Sequence, residues 1–369
     1  MTKVALVHDW LTGMRGGEIV FEAIAELFPE AHLFTLLYVP GTVSPAIRAL
    51  PRTVSRLQSM PAAEKRYRHY LPLMPHFIEQ MDLSGYDLIV SSSHCVAKGI
   101  RKDQGARHIS YVHSPMRYVW DRYEDYFGPG RASVPTRLAA KAVRGYLQNW
   151  DRSTSGPDRI DRIVANSGFV RDRIREVWGR ESSVVHPFAD LSRFFRPKSS
   201  GRNYLMVGAF APYKRVDLAI EAFNRMKLPL LIVGSGQDEE RLKKLAGPTV
   251  EFLGSLSNEA IADLYSKSKA LVFPGIEDFG ITPVESMAAG TPVIALRAGG
   301  AAETVTEKTG VFFEEQTVGS LIDAVMSFEK GEVSIQDQDC RARAQEFTRV
   351  SFQNRFLAEV GQLLGTPRT

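Results

Sequence analysis

The feature that most constrains this chain is an alternation of short apolar runs with longer amphipathic ones. It runs through the first half and then starts again. Val4 to His8 reads as a buried strand, then a turn to Gly17, then a helix over about Glu18 to Phe28. Leu33–Leu37, Leu88–Ser91, Ile109–Val112, Ile163–Asn166 and Ser183–His186 read as further strands, with a helix from Phe169 to Trp178 before the last of them. Strands alternating with helices predict a parallel sheet covered on both faces. The polar, basic stretch Leu191–Asn203 reads as a linker. After it the pattern resumes, with strands at Tyr204–Val207, Leu230–Val233, Val250–Leu253, Ala270–Phe273 and Pro292–Ala295, each followed by a small-residue turn and a helix. The expected architecture is α/β: two Rossmann-like doubly wound domains facing across a cleft. Residues 1–190 and 200–335 form the domains, and a helical segment 336–369 can return to the first. Ligands of such sheets bind beyond the carboxyl ends of the strands, so chemistry is sought at the strand-to-helix turns.

Composition narrows the classes. A chain of 369 residues exceeds one ordinary core. With 44% hydrophobic and 24% charged residues, disordered and fibrous readings fall away. Two cysteines, Cys95 and Cys340, support neither a disulfide framework nor a cysteine-rich zinc site. The opening MTKVALVHDW lacks a signal-peptide apolar region, and no apolar run is long enough to span a bilayer. A cytoplasmic protein without a nucleic-acid partner is expected. The net charge of +4 comes from residues 1–190. There, Arg48, Arg52, Arg56, Lys65, Arg66 and Arg68 lie among Leu50, Leu57, Met60, Tyr67, Tyr70, Leu71, Leu73, Met74 and Phe77. Such a stretch can lie on an anionic membrane surface, or it can be an ordinary solvated face, which charge alone favours.

The richest segment is FPGIEDFGITPVESMAAGTPVIALRAGG, residues 273–300. Glu277 precedes a helix that starts near Ile281 or Thr282, and Glu285 lies in its first turn or so. Backbone N–H groups at Gly280, Ile281 and Thr282 can bind phosphate. A carboxylate one turn further in can accept both hydroxyls of a ribose. A second cluster, MVGAFAPYKRVD, sets Gly208 at the end of a strand and Lys214-Arg215 at a helix start, where adjacent cations suggest an anion such as a diphosphate. In a third, GMRGGE, Gly16 and Gly17 allow close approach of a ligand to the backbone, but the G-x-G-x-x-G fingerprint of an NAD site is missing. A fourth, YVHSPMRYVWD, places His113 at a strand end beside Arg117, Asp121, Tyr118 and Trp120. A lone histidine there is more often a satisfied structural residue than a ligand. Asn166 and Gly234 stand at similar strand ends, and the strand around Phe252 can offer backbone groups to a base edge. No Asp-x-Asp pair sits at a strand end, so no metal and no cofactor are expected.

The run from Glu277 through Phe279 and Glu285 to Val293 resembles the E-x7-E segment of retaining glycosyltransferases of family 4. Gly208, Lys214, Gly234-Ser235-Gly236, Phe252-Leu253-Gly254 and Gly299-Gly300 follow in that family's order. The resemblance implies a GT-B fold with a nucleotide-sugar donor on the C-terminal domain. It implies that Glu277 lies by the donor sugar, Glu285 binds ribose, Lys214 binds the diphosphate and His113 contacts the sugar. Where the family usually has Arg after the first C-terminal strand, this chain has Ala209, and Arg215 is the candidate substitute. Lys214-Arg215 and HSPMRYVWD are similar to bacterial mannosyltransferases of surface-glycan synthesis. That implies GDP-mannose as donor, a polyprenyl-diphosphate-linked or other lipid-linked acceptor, and peripheral contact with the inner membrane surface. The implied mechanism is front-face displacement, with Glu277 orienting the sugar. The alternatives are a UDP-sugar-dependent transferase and a non-catalytic nucleotide-sugar-binding protein. A nucleotide-sugar 2-epimerase lacks the E-x7-E segment.

Overall fold

The strands of this chain are apolar on both faces, as the middle of the first one shows: Ala5, Leu6 and Val7 are all fully buried. Only a sheet covered on both sides buries a strand that way. The computed structural model describes residues 2–128, 132–199 and 201–365. The chain divides into two compact units, Met1–His186 with Phe352–Thr369, and Pro187–Ser351.

The N-terminal unit contains β1 (Val4–His8), β2 (His32–Thr35), β3 (Arg52–Val54), β4 (Leu88–Ser93), β5 (Arg107–Val112), β6 (Arg162–Ala165) and β7 (Ser183–Val184). Their order is β3-β2-β1-β4-β5-β6-β7, with every pair parallel. The C-terminal unit contains β8 (Tyr204–Val207), β9 (Leu230–Val233), β10 (Val250–Gly254), β11 (Leu271–Phe273), β12 (Val293–Leu296) and β13 (Gly310–Phe313), in the order β10-β9-β8-β11-β12-β13. In each sheet the first strand is interior. The chain adds two strands on one side of it and then crosses to the other. That reversal puts a switch point between β1 and β4, and another between β8 and β11. Turns leaving adjacent strands diverge at such a point and leave a crevice.

Local chemistry sets the helix limits. Ser167 Oγ accepts the Val170 N–H at 3.1 Å and caps the helix Gly168–Trp178, which ends at Gly179 in the left-handed region. The long helix Val134–Ser153 is pinned to the N-terminal unit at its far end. There Lys98 Nζ lies 3.2 Å from Asp151 Oδ1, and the indole N–H groups of Trp120 and Trp178 donate to Asp151 Oδ2 at 2.8 and 2.7 Å. Lys98 also donates to the Asp151 carbonyl and to Thr154 Oγ1, so the buried charges are compensated. No helix among the described residues is long and apolar enough to cross a membrane.

Three expectations change. The stretch read as a linker is tied to the C-terminal unit. It contains a short helix, Leu191–Phe194, whose Phe194 packs edge-on against Tyr265 at 5.8 Å, and Lys198 donates to Thr291 Oγ1 at 2.7 Å. Its Ser200 lies outside the described residues. The final segment 336–369 splits. The helix Asp337–Ala344 belongs to the C-terminal unit, where Arg341 donates to the carbonyls of Ala288 and Ala289. The helix Arg349–Leu364 joins the N-terminal unit from Phe352 onward, and 366–369 lie outside the described residues. Phe352 and Phe356 stack on one another and both meet the Tyr111 ring edge-on, at 5.5 and 6.1 Å. Lastly, the basic stretch Arg48–Phe77 turns its apolar residues inward. Leu50, Leu57, Tyr67 and Met74 are buried, and Met60, Tyr70, Leu71 and Phe77 pack against the core, so only Leu73 stands exposed. The prolines divide the stretch into short helical pieces, and no continuous apolar face remains.

The fully buried Phe356 makes the return of the last helix testable. Phe356→Ala is expected to cost about 3–5 kcal/mol in the N-terminal unit, the usual range for a buried Phe→Ala cavity, read as a lower denaturant midpoint.

Candidate functional site

At the switch point of the C-terminal unit, the turns after β8 and β11 bring together two of the charged residues singled out above. Lys214 Nζ donates to Glu277 Oε1 at 2.6 Å, and both side chains are mostly covered, 14% and 17% exposed. Lys214 ends a single 3-10 turn, Pro212–Lys214. Arg215 follows in the left-handed region at φ 52°, an unusual conformation for a side-chain-bearing residue, and the helix Val216–Met226 begins from there. Gly275 permits the approach of the two turns, since a Cβ on it would lie 2.8 Å from Lys214 Cα and from the Tyr213 carbonyl. On the other side Gly300 N–H donates to the Glu277 carbonyl at 2.9 Å, and a Cβ on Gly300 would lie 2.3 Å from Phe279 Cα. The loop that carries Glu277 is thus clamped from both sides.

That loop leads through Gly280, at φ 80°, into the helix Ile281–Ala288. Thr282 Oγ1 is buried there without a hydrogen-bond partner among the described residues. Glu285 lies on the second turn, and Tyr265 O–H donates to its Oε2 at 3.2 Å. Burial pushes the Glu285 carboxyl up to about 7, against the pull of Tyr265, Lys214 and Arg193. The turns after β8, β9 and β10 are stitched together. Phe210 N–H donates to the Ser235 carbonyl at 2.9 Å, Gly234 N–H to the Gly254 carbonyl at 2.8 Å, and the Phe210 and Phe252 rings meet edge-on. Gly208 lies directly under the Lys214 side chain, and a Cβ there would come within 3.3 Å of Nζ.

The structure does not bring Arg215 to this pair. Its guanidinium contacts Asp217 at 3.3 Å and Gln316 Oε1 at 3.1 Å, and Gln316 is in turn tied to the Pro274 carbonyl. The left-handed backbone at Arg215 points consecutive side chains apart, so Lys214 alone of the two meets Glu277.

Gly16, Gly17, His113 and Asn166 lie in the N-terminal unit. Asn166, at the end of β6, accepts from Ser167 Oγ at 3.1 Å. Gly16 and Gly17 open the helix Gly16–Ala25, and a Cβ on Gly17 would touch the His113 ring at 3.9 Å. His113 Nε2 and Ser92 Oγ share a hydrogen bond of 2.9 Å. Burial, with His94 and Arg117 nearby, holds the His113 pKa down to about 3, so the ring is neutral. Three residues that the sequence reading did not single out as site candidates complete this cluster, namely His8, Asp9 and His94. Asp9 is fully buried and accepts the backbone N–H groups of His94, Cys95, Val96 and Ala97 at 2.7, 3.0, 2.6 and 2.7 Å. Burial raises its carboxyl above the ordinary value, against the pull of His8 and these backbone donors. The sequence signal was the run His8-Asp9-Trp10 directly after the first buried strand, and a second histidine, His94, directly after β4. Among the described residues no group of three His, Cys, Asp or Glu is arranged to hold a metal ion.

With this geometry in hand, known proteins can be compared. "Glycosyltransferase Family 4" matches residues 14–193, and "Glycosyl transferases group 1" matches 190–347. A GDP-mannose-dependent alpha-mannosyltransferase of Mycolicibacterium smegmatis is 39% identical over 171 residues, 42% of this chain and 45% of that protein. The chain thus spans a little under half the length of the curated relatives it matches. Sucrose-phosphate synthase from Thermosynechococcus elongatus superposes with a TM-score of 0.71 at 20% identity, over 99% of this chain and all of that one. Anabaena HepE in complex with UDP superposes with a TM-score of 0.66 at 16% identity, over 98% of this chain and all of that one. At such identities the superpositions speak for the fold alone. The chain carries the two domains of a GT-B glycosyltransferase.

The raised Glu285 carboxyl gives a signed pH dependence. A group whose folded pKa lies above its unfolded value of 4.5 binds more protons when folded, so its contribution to stability falls as pH rises from about 4.5 to about 7. Thermal unfolding of the C-terminal unit is expected to show that fall in the wild type. Glu285→Gln keeps a side-chain oxygen for Tyr265 and is expected to flatten it.

Proposed function

We propose that this chain is a retaining hexosyltransferase that moves mannose from GDP-mannose onto a lipid-linked glycan acceptor in bacterial surface-glycan synthesis. The observation that carries the reading is the Lys214–Glu277 pair at the β8/β11 switch point, one turn from the N-terminus of the helix Ile281–Ala288. A lysine, a helix N-terminus and a buried threonine hydroxyl with no partner among the described residues form a suitable setting for a diphosphate. The carboxylate of Glu277 next to it suits a sugar hydroxyl, and Glu285 suits the ribose. Phe252, Gly208 and Gly234 would line the base and ribose side. Tyr265 already occupies one oxygen of Glu285, so the other is left for a ribose hydroxyl. In the N-terminal unit His113 and the Gly16-Gly17 turn are proposed to serve the transferred sugar. Asn166 and Arg215, held by Ser167 and by Asp217 with Gln316, are assigned no donor contact. The choice of mannose and GDP rests on the Mycolicibacterium smegmatis relative and on the resemblance of Lys214-Arg215 and HSPMRYVWD.

The proposed chemistry is front-face displacement. The bond from the anomeric carbon to the diphosphate oxygen breaks, the acceptor oxygen bonds the same face, and its proton passes to the departing phosphate. Lys214 and the helix N-terminus stabilise the charge that develops on the leaving group. Glu277 holds the sugar, and Lys214 in turn holds Glu277. The exposed cations Arg48, Arg56, Lys65, Arg66 and Arg68 would attract an anionic leaflet electrostatically. With the apolar residues of that stretch turned inward, insertion is not part of the proposal.

Two measurements test this. In a thermal-shift panel without added metal, GDP and GDP-mannose are expected to stabilise the protein more than UDP, ADP and their sugars, in proportion to the logarithm of ligand concentration over Kd. Preference for UDP-sugars would discard mannose, and no response to any nucleotide would favour a non-catalytic role. In kinetics, Glu277→Ala is expected to lower kcat by about 100-fold or more, the loss typical of removing one group that stabilises or positions the transition state, with donor affinity little changed. Lys214→Ala is expected to weaken GDP binding by roughly 10- to 100-fold, the usual effect of losing a hydrogen bond to a charged group. Near-normal turnover of the Glu277 variant would remove that residue from the site.

A further inference from the structure

The N-terminal unit has its own switch point, between β1 and β4, and it holds chemistry that the donor site does not use. Asp9 follows β1 and His94 follows β4. His94 Nδ1 lies 3.1 Å from Asp9 Oδ2. The backbone of His94 and of the three residues after it donates four hydrogen bonds to the same carboxylate, so the turn that carries the ring is locked to the group that faces it. Accepting four N–H groups is the bonding pattern of an ionised carboxyl. A carboxylate against Nδ1 favours the tautomer with its proton there and leaves a lone pair on Nε2. No group among the described residues bonds Nε2. The ring is 29% exposed, and Trp10 stands edge-on to it at 4.5 Å. Deeper in the cluster His8 Nε2 is fully buried and also unpartnered, while its Nδ1 faces the Ser92 carbonyl at 3.0 Å. Burial and the charges of Arg117, Arg15 and Arg68 hold His94 down to about 3. These favour the neutral ring against the opposing pull of Asp9, and its Nε2 lone pair can then accept a hydrogen bond.

We infer that His94 binds a hydroxyl of the sugar acceptor through Nε2, and that Asp9 is the positioning residue that sets its tautomer and direction. The inference rests on the transferase reading and adds the residue that holds the acceptor. Trp10, edge-on to the ring, would stand beside the bound sugar, as aromatic faces and edges do around sugars. A neutral, oriented acceptor of hydrogen bonds discriminates in favour of a hydroxyl, since a ligand lacking it leaves the site group unpaired.

The test uses the full chain, with n-octyl α-D-mannopyranoside as acceptor probe and GDP release from GDP-mannose as readout. His94→Ala is expected to lower kcat/KM for the mannoside by about 10- to 100-fold, as for loss of one partner of a buried hydrogen bond. Stabilisation by GDP is expected to stay at the wild-type level, since the proposed diphosphate site lies in the C-terminal unit. His94→Gln, which offers an amide oxygen near the Nε2 position, is expected to recover part of the loss. Asp9→Asn is expected to lower kcat/KM as His94→Ala does, with its melting temperature recorded to set aside unfolding. Unchanged kcat/KM in His94→Ala, with an active wild type, overturns the inference. A second readout is independent of turnover. Imidazole 15N spectra of histidine-labelled protein are expected to show His94 with Nδ1 protonated at pH 7, and its Nε2 resonance is expected to move on adding the mannoside but not GDP. Should the wild type bind GDP-mannose yet not use the mannoside, a displaced Nε2 resonance supports the inference and an unmoved one overturns it. Should the wild type bind no nucleotide at all, the transferase reading fails while the same resonance still judges His94.

Discussion

Each unit depends on the position of its first strand. A parallel sheet with that strand in its interior must send later strands to both sides, and the turns above the reversal are forced apart. The Lys214–Glu277 and Asp9–His94 pairs lie at those two reversals. Above β8 and β11 sit Lys214, Glu277 and the helix that carries Glu285. Above β1 and β4 sit Asp9, His94 and, on the next strand, His113. The apolar strands below are rigid supports, and the turns above them have no sheet partners of their own. They can therefore give their polar groups to a ligand.

Charges at these reversals are taken out of water only with compensation. Lys214 and Glu277 compensate one another, so removing either leaves the other mostly covered and alone. Asp9 has four backbone donors, and Lys98 with Asp151 is enclosed by indole N–H groups, carbonyls and a threonine. Glu285 is the exception. It has one phenol donor and is deeply buried, and burial pushes its carboxyl up to about 7. A carboxyl balanced near pH 7 beside a lysine and a helix N-terminus is typical of a binding site and costs stability in a purely structural position.

Much of the C-terminal unit could be read in advance. The strands β8, β9 and β10 are short apolar runs closed by glycine, and the carboxylates of the candidate site lie within one continuous segment, 273–300, with Lys214 added from the turn after β8. Local chemistry decides such segments, because a turn, a helix start and a carboxylate eight residues on need few distant partners. The N-terminal unit was harder. His113 was visible as a histidine at a strand end. His94 and Asp9 are 85 residues apart, and nothing in either neighbourhood says that β4 lies beside β1 and not beside β3. The linker reading failed for a similar reason. Leu191–Asn203 is polar in composition, yet Phe194 and Lys198 find partners 70 or more residues away.

The sequence by itself determined the class of fold and the strand-turn-helix of segment 273–300, since the period of its apolar residues and the placement of its glycines are local properties. It also determined that a glutamate and a lysine would each stand at a strand-to-helix turn. Tertiary structure decided which of those groups meet. It paired Lys214, not Arg215, with Glu277, because a left-handed residue turns the second cation away. It turned the apolar side of Arg48–Phe77 into the core, returned the last helix to the N-terminal unit through Phe352 and Phe356, and set Asp9 against His94. The physical reason is common to all four: which partner compensates a charge or covers an apolar face depends on strand order, and strand order is fixed by the whole sheet and not by any one segment of it.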